Sequence, residues 1–167
     1  MVKKIAIGLL CMTLGSSLYA GDFSNTQGFI GLEVGAATIE ADANNAFYRD
    51  QNHRGSDVEY GFRLGAQSDE WRTMFVFNYF DSSGDNQNYE KGLLELDYFF
   101  LSSDLSNNVS FKPYIGVNIG YMNYESDRTL HMFSIDESGL LYGGQAGFAL
   151  GVTDSIDLDL MYRYSLT

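Results

Sequence analysis

Proline occurs once in this chain of 167 residues, tryptophan once and cysteine once, and there are only two histidines. A single proline beside 18 glycines, 12 tyrosines and 12 phenylalanines argues against a disordered chain and favours strands over helices. Positive charge is scarce: 10 Lys and Arg face 22 Asp and Glu, for a formal net charge of −12. That balance disfavours nucleic acid as a partner, because phosphate binding is driven by Lys and Arg. Beyond the N-terminal stretch there is no apolar run of helix-spanning length, so any later membrane span must be β.

The N-terminus carries Lys3 and Lys4, then the apolar run Ile5 to Leu14, then Gly15-Ser16-Ser17-Leu18-Tyr19-Ala20. This is the pattern of a secretory leader with cleavage expected after Ala20. An anchor helix is disfavoured because the run falls short of the roughly 20 residues a span needs. A lipoprotein signal at Cys11 is discounted because Leu10 precedes it where a small residue is expected. The expected organisation is a leader over 1–20 and one domain over 21–167. Without the leader the domain has no cysteine, so neither a disulfide framework nor thiol chemistry is open to it.

Apolar and polar residues alternate along almost every extended segment from Gly28 to Ser165. In the stretch from Val58 to Ala66 one parity holds Val58, Tyr60, Phe62 and Leu64, while the other holds Glu59, Gly61, Arg63 and Gly65. Period-two alternation is a strand with two unlike faces. Seven strands are predicted: Gln27 to Ala37, Asp57 to Gln67, Trp71 to Asp81, Tyr89 to Leu101, Val109 to Met122, Gly139 to Val152 and Ser155 to Ser165. Most reach the roughly 9–11 residues that a tilted strand needs to cross a bilayer. The polar parity mixes both charge signs with glycine, which suits a lumen with room only for packed side chains and poorly suits a solvated sheet. Short connections at Ser68 to Glu70 and Thr153-Asp154 alternate with long ones at Thr38 to Ser56 and Asn123 to Ser138, as periplasmic turns and outer loops do. Trp71, Phe99 and Phe100 near the turns, and Tyr79, Tyr89, Tyr121 and Tyr124 near the loops, are placed as two interfacial girdles. The expected class is all-β: an antiparallel up-and-down transmembrane β-barrel.

The segment Phe111-Lys112-Pro113-Tyr114-Ile115-Gly116-Val117-Asn118-Ile119-Gly120-Tyr121 resembles a strand of the small OmpA/OmpX-like outer-membrane barrels. The stretch Gly144 to Ser165, with Val152-Thr153-Asp154-Ser155 at its turn and Tyr162-Arg163-Tyr164 near its end, resembles a hairpin of the same family. The resemblance implies eight strands, a cell-surface protein of a Gram-negative outer membrane, and a further closing strand after Tyr162-Arg163-Tyr164. With seven strands predicted, the expectation is a barrel lacking its eighth, since lipid does not tolerate open sheet edges.

Buried charges need partners, because an unpaired one costs several kcal/mol. The inner parity therefore predicts a lumen salt-bridge network from Glu33, Glu59, Arg63, Arg72, Lys91, Glu95, Asp97, Lys112, Asp157, Asp159 and Arg163. Within it Glu33 should lie level with Arg63, Arg72 should share a strand end with Asp97, and Arg163 follows Asp157 and Asp159 on one face. In the loops, Phe47-Tyr48 and Met132-Phe133 are the apolar candidates for contact with a partner. His53 with Ser56 and Asp57, and His131 with Ser134 and Asp136, contain the ingredients of a lipid-modifying site but no specific nucleophile or metal-ligand spacing. No cofactor and no metal are expected. The expected partners are outer-membrane lipid and lipopolysaccharide, periplasmic chaperones and the barrel-assembly machinery, with an extracellular ligand unspecified. The expected function is non-enzymatic, serving outer-membrane structure or surface recognition and adhesion. A narrow channel and a lipid-modifying enzyme are the alternatives.

Overall fold

Long runs that alternate side-chain character, interrupted by one proline, leave the backbone nothing to do but pair edge to edge. A computed structural model describes the backbone of residues 4–18, 26–42, 52–82, 87–106, 109–126, 135–153 and 155–167, and among these residues nine strands form. They are β1 Lys4–Leu18, β2 Gln27–Asp42, β3 Asn52–Gln67, β4 Trp71–Ser82, β5 Gln87–Phe99, β6 Ser103–Ser106, β7 Val109–Ser126, β8 Ile135–Thr153 and β9 Ile156–Leu166. Every pairing among them is antiparallel. Neighbouring strands pair in chain order from β1 to β5, β5 pairs with β7, and β7 leads through β8 and β9 back to β1. The ladder closes on itself as a ring of eight staves, with β6 a short addition against β7 at Ser103 to Ser106. Closure leaves no unpaired edge around the middle of the described wall, which is the condition for β structure in lipid.

The seven predicted strands appear as β2 to β5 and β7 to β9. The eighth stave is β1, drawn from the stretch that carries the leader pattern. Its Thr13 stands opposite both Glu33 of β2 and Asp159 of β9, so β2 and β9 do not pair with each other. Residues 4–18 therefore occupy the place in the ring that the resemblance gives to a closing strand. No period of two marks this segment as a strand, because Ile5 to Leu14 form an apolar run instead of an alternation.

Two predicted loops are shorter than expected. The β2–β3 ladder runs on to Asp42↔Asn52 and the β7–β8 ladder to Ser126↔Ile135. In these extensions the parity that carries the apolar residues turns polar, at Thr38, Glu40 and Asp42 and at Asn123 and Glu125, while backbone pairing continues, so the sequence pattern hides them.

Parity decides the faces. Leu32, Val34, Tyr60, Phe62, Phe75, Phe77, Ile115, Val117 and Ile119 all point out of the ring and are exposed. Trp71 and Tyr98 lie in ring contact at 4.8 Å on this outer surface, near the short turns. The buried polar set lies inside: Glu33, Glu59, Arg63, Arg72, Asn78, Lys91, Glu95, Asp97, Asn118, Gln145, Asp159 and Arg163. This is an inside-out protein, with an apolar exterior far beyond the few hundred Å² that a soluble monomer exposes contiguously.

Two aromatic assignments need correction. Phe99 and Tyr89 are not girdle residues but lumen residues, both buried. Phe99 packs edge-on against Tyr114 at 5.7 Å, and Tyr89 stacks on Phe80 at 4.6 Å. Both belong to the inner parity of β5, with Lys91, Glu95 and Asp97, and parity outweighs proximity to a strand end.

Candidate functional site: the charged lumen

Three guanidinium groups organise the lumen. Arg63 of β3 donates from Nε to Glu33 at 2.6 Å and from Nη1 to Asp159 at 2.9 Å. Arg72 of β4 reaches Asp97 through Nε at 2.9 Å and Nη2 at 2.8 Å, and Asp159 through Nη1 at 2.6 Å. Arg163 of β9 reaches Glu95 at 2.6 Å and Glu33 at 3.3 Å. Each arginine thus links carboxylates on different staves, which a planar fork with five donors does better than a lysine. The connections cross the lumen: β9 is tied to β3 and β4 through Asp159, and to β2 and β5 through Arg163.

Arg163 does not pair with Asp157 or Asp159 of its own strand. Residues of one parity stand about 7 Å apart for each step of two along a strand, so a side chain across the narrow lumen is the nearer partner. Asp157 instead accepts from Gln67 Nε2 at 3.2 Å. Neutral amides complete the middle of the network. Gln145 donates to Asp97 at 2.6 Å and to Glu95 at 2.9 Å, Asn118 donates to Gln145, Ser165 donates to Asn118, and Asn78 donates to Glu33. Nearer the loop end, Lys91 meets Glu59 at 2.7 Å and the Tyr89 hydroxyl donates to the same carboxylate. Lys112 stands apart: half-buried at the turn end, it lies 3.9 Å from exposed Asp69 and 5.9 Å from the Phe99 ring.

Glycines make room for these groups. A Cβ on Gly61 would meet the Glu33 and Asn78 side chains, and one on Gly116 would meet the Asp97 carboxylate. Apolar side chains fill what remains. Met74, Val76, Phe80, Leu93, Met122, Leu141 and Met161 are buried in the lumen, and the Met161 sulfur accepts from Arg63 at 3.2 Å. Sequence reasoning misses this set, although parity alone places Met74, Val76 and Phe80 on the same face of β4 as Arg72 and Asn78. Arg72 is further held between rings, with Tyr114 at 4.5 Å and Phe99 at 5.2 Å.

The side chains of the other candidates lie outside the described residues. The backbone of His53, Ser56 and Asp57 lies within β3, with His53 opposite Ala41. His131, Ser134, Phe47, Tyr48, Met132 and Phe133 lie outside the described residues. Among the described residues no group of three or more His, Cys, Asp or Glu side chains could hold a metal ion.

No family model matches the chain, and no curated protein matches it. Among solved structures, it is similar to the crystal structure of Ail, the attachment invasion locus protein of Yersinia pestis, at 13% identity over 99% of this chain and 97% of that one, with a TM-score of 0.24. A second structure of Ail, in complex with the heparin analogue sucrose octasulfate, is similar at 11% identity over the same shares, with a TM-score of 0.21.

Proposed function

We propose that this chain is a non-enzymatic outer-membrane β-barrel whose rigid wall displays loops at the cell surface for structure or recognition. The observation that supports this reading is the inversion of its faces: charge is paired inside a closed ring and large apolar side chains are exposed outside. Such an exterior suits lipid, and an eight-stranded lumen filled by side chains suits a scaffold better than a pore. Export across the inner membrane is the role that the leader pattern of residues 1–20 implies; where the segment is retained, it closes the ring as β1. Periplasmic chaperones and the assembly machinery, acting before insertion, and lipopolysaccharide at the outer leaflet are the partners this reading implies.

Orientation gives the test. Ser138 lies near the long-loop end of β8 and is exposed, whereas Asp69 is exposed at the β3–β4 turn. The variants Ser138→Cys and Asp69→Cys, each made with Cys11→Ser so that it carries a single cysteine, should differ in intact cells towards a membrane-impermeant maleimide. Ser138→Cys should label from outside and Asp69→Cys only after the outer membrane is permeabilised. Equal labelling of both, or neither variant in the membrane fraction, would overturn the proposal.

A further inference from the structure

The registers fix how far each stave is displaced from its neighbour. Followed across the ladders from stave to stave, Gly28 of β2 leads round the ring and back to β2 at Thr38, ten residues nearer the loop end. A stagger of that size over eight staves tilts the strands by about 40°, so one residue along a strand rises about 2.5 Å along the barrel axis. Heights on distant staves can then be compared. Ala66 of β3 leads in four steps to Gly144 of β8, which therefore stands higher by about five residues of rise. The outer apolar parity of β3 runs from Val58 to Ala66, a height of about 20 Å, and that of β8 runs from Leu140 to Val152, about 30 Å. At the loop side the two bands agree, with Leu140 only about 2.5 Å above Val58. At the turn side they do not, and Val152 lies about 7–8 Å below Ala66. Near that lower height the β3–β4 turn exposes Asp69 and Glu70, whereas the opposite flank exposes Phe100, Leu101, Val152 and Ile156.

We infer, resting on the membrane reading above, that the wall meets the bilayer unevenly: acyl chains of the turn-side leaflet follow the β7–β9 flank about 7–8 Å further than they follow β3 and β4. Carboxylates at one flank need water and the apolar side chains at the other do not, so no flat surface at that height suits both. A rigid tilt does not resolve the conflict, since levelling the turn-side edges would put the loop-side edges out of level. The occupant of the strip is lipid, because the strip continues the outer apolar band without a polar break. The rings of Phe111 and Phe148, 5.5 Å apart, join it to Ile115 and Val117 above. Local thickening on one flank and thinning on the other is how a bilayer answers a band of unequal height.

Trp71 is the only tryptophan, so the full chain with Trp71→Phe is a dark background for single reporters. The test places Val152→Trp, Asp69→Trp or Val117→Trp in that background and folds each into vesicles of dioleoylphosphatidylcholine, plain or brominated on the acyl chains, with iodide on both sides. Val152→Trp should emit to the blue of Asp69→Trp, be quenched by the brominated chains as Val117→Trp is, and be quenched by iodide several-fold less than Asp69→Trp. Quenching of Val152→Trp by iodide to the extent seen for Asp69→Trp would put the strip in water and overturn the inference. Shielding of Val152→Trp from both quenchers would mean that protein, such as a second copy of this chain, covers the strip, and would overturn it too. Val117→Trp separates the two levels of the reading: if brominated chains leave it unquenched, the membrane assignment itself fails and the inference with it.

Discussion

Arg63 is the residue on which the lumen most depends, since it joins Glu33 of β2 and Asp159 of β9 to its own strand at 2.6 and 2.9 Å. Removing one partner of a buried ion pair leaves uncompensated charge and costs about 3–5 kcal/mol, so Arg63→Leu should lower the urea midpoint in detergent by a corresponding amount. An unchanged midpoint would contradict the network. At this scale the sequence is legible as far as parity goes. Alternation places Glu33, Arg63, Arg72, Asp97 and Arg163 on one inner face, but it does not choose among partners. Arg163 bonds across the lumen to Glu95 and Glu33, and not along its strand to Asp159, because lumen width and the stagger of the staves set those distances. Arg72 and Asp97 are the legible pair, directly opposite on adjacent strands, whereas Glu33 stands opposite Gly61 and not level with Arg63, which stands opposite Gly31, so that pair closes on a diagonal.

Among the elements, the strands differ in what their glycines tolerate. A Cβ on Gly143 would run into the backbone of Tyr164 and Ser165 on β9, whereas one on Gly92 would meet only the Phe77 ring at 3.8 Å. Gly143→Ala should therefore impair folding and Gly92→Ala should be close to neutral, read as the fraction of heat-modifiable barrel recovered from urea. The outer faces make a separate prediction. Val117 is exposed on β7, and Val117→Arg should cost about 2–4 kcal/mol in a lipid bilayer if that face lies near the midplane. In a water-exposed sheet the same change would cost almost nothing. Strand boundaries are the least legible feature. β2, β3, β7 and β8 all run past their predicted ends, because pairing of the backbone outlasts the apolar parity that reveals it. β1 is invisible for the opposite reason: the apolar run Ile5 to Leu14 carries no period of two. Since β1 separates β2 from β9, a chain over 21–167 tested by itself should give little compact barrel, whereas the chain over 1–167 should give it in full. Equal recovery from the two would show that closure does not depend on β1.

The whole molecule is a closed ring with its polarity reversed. Paired charges, together with Phe80, Met122, Leu141, Phe99 and Tyr114, fill the lumen, so the wall is braced from within and its apolar side chains are left for the outside. That exterior should face lipid. The most direct measurement is the migration of boiled and unboiled protein on cold SDS gels, after dilution of the full chain from urea either into detergent or into buffer alone. A compact, heat-modifiable band is predicted in detergent, and aggregate in buffer. A folded, monodisperse β protein in buffer without detergent would contradict the membrane reading.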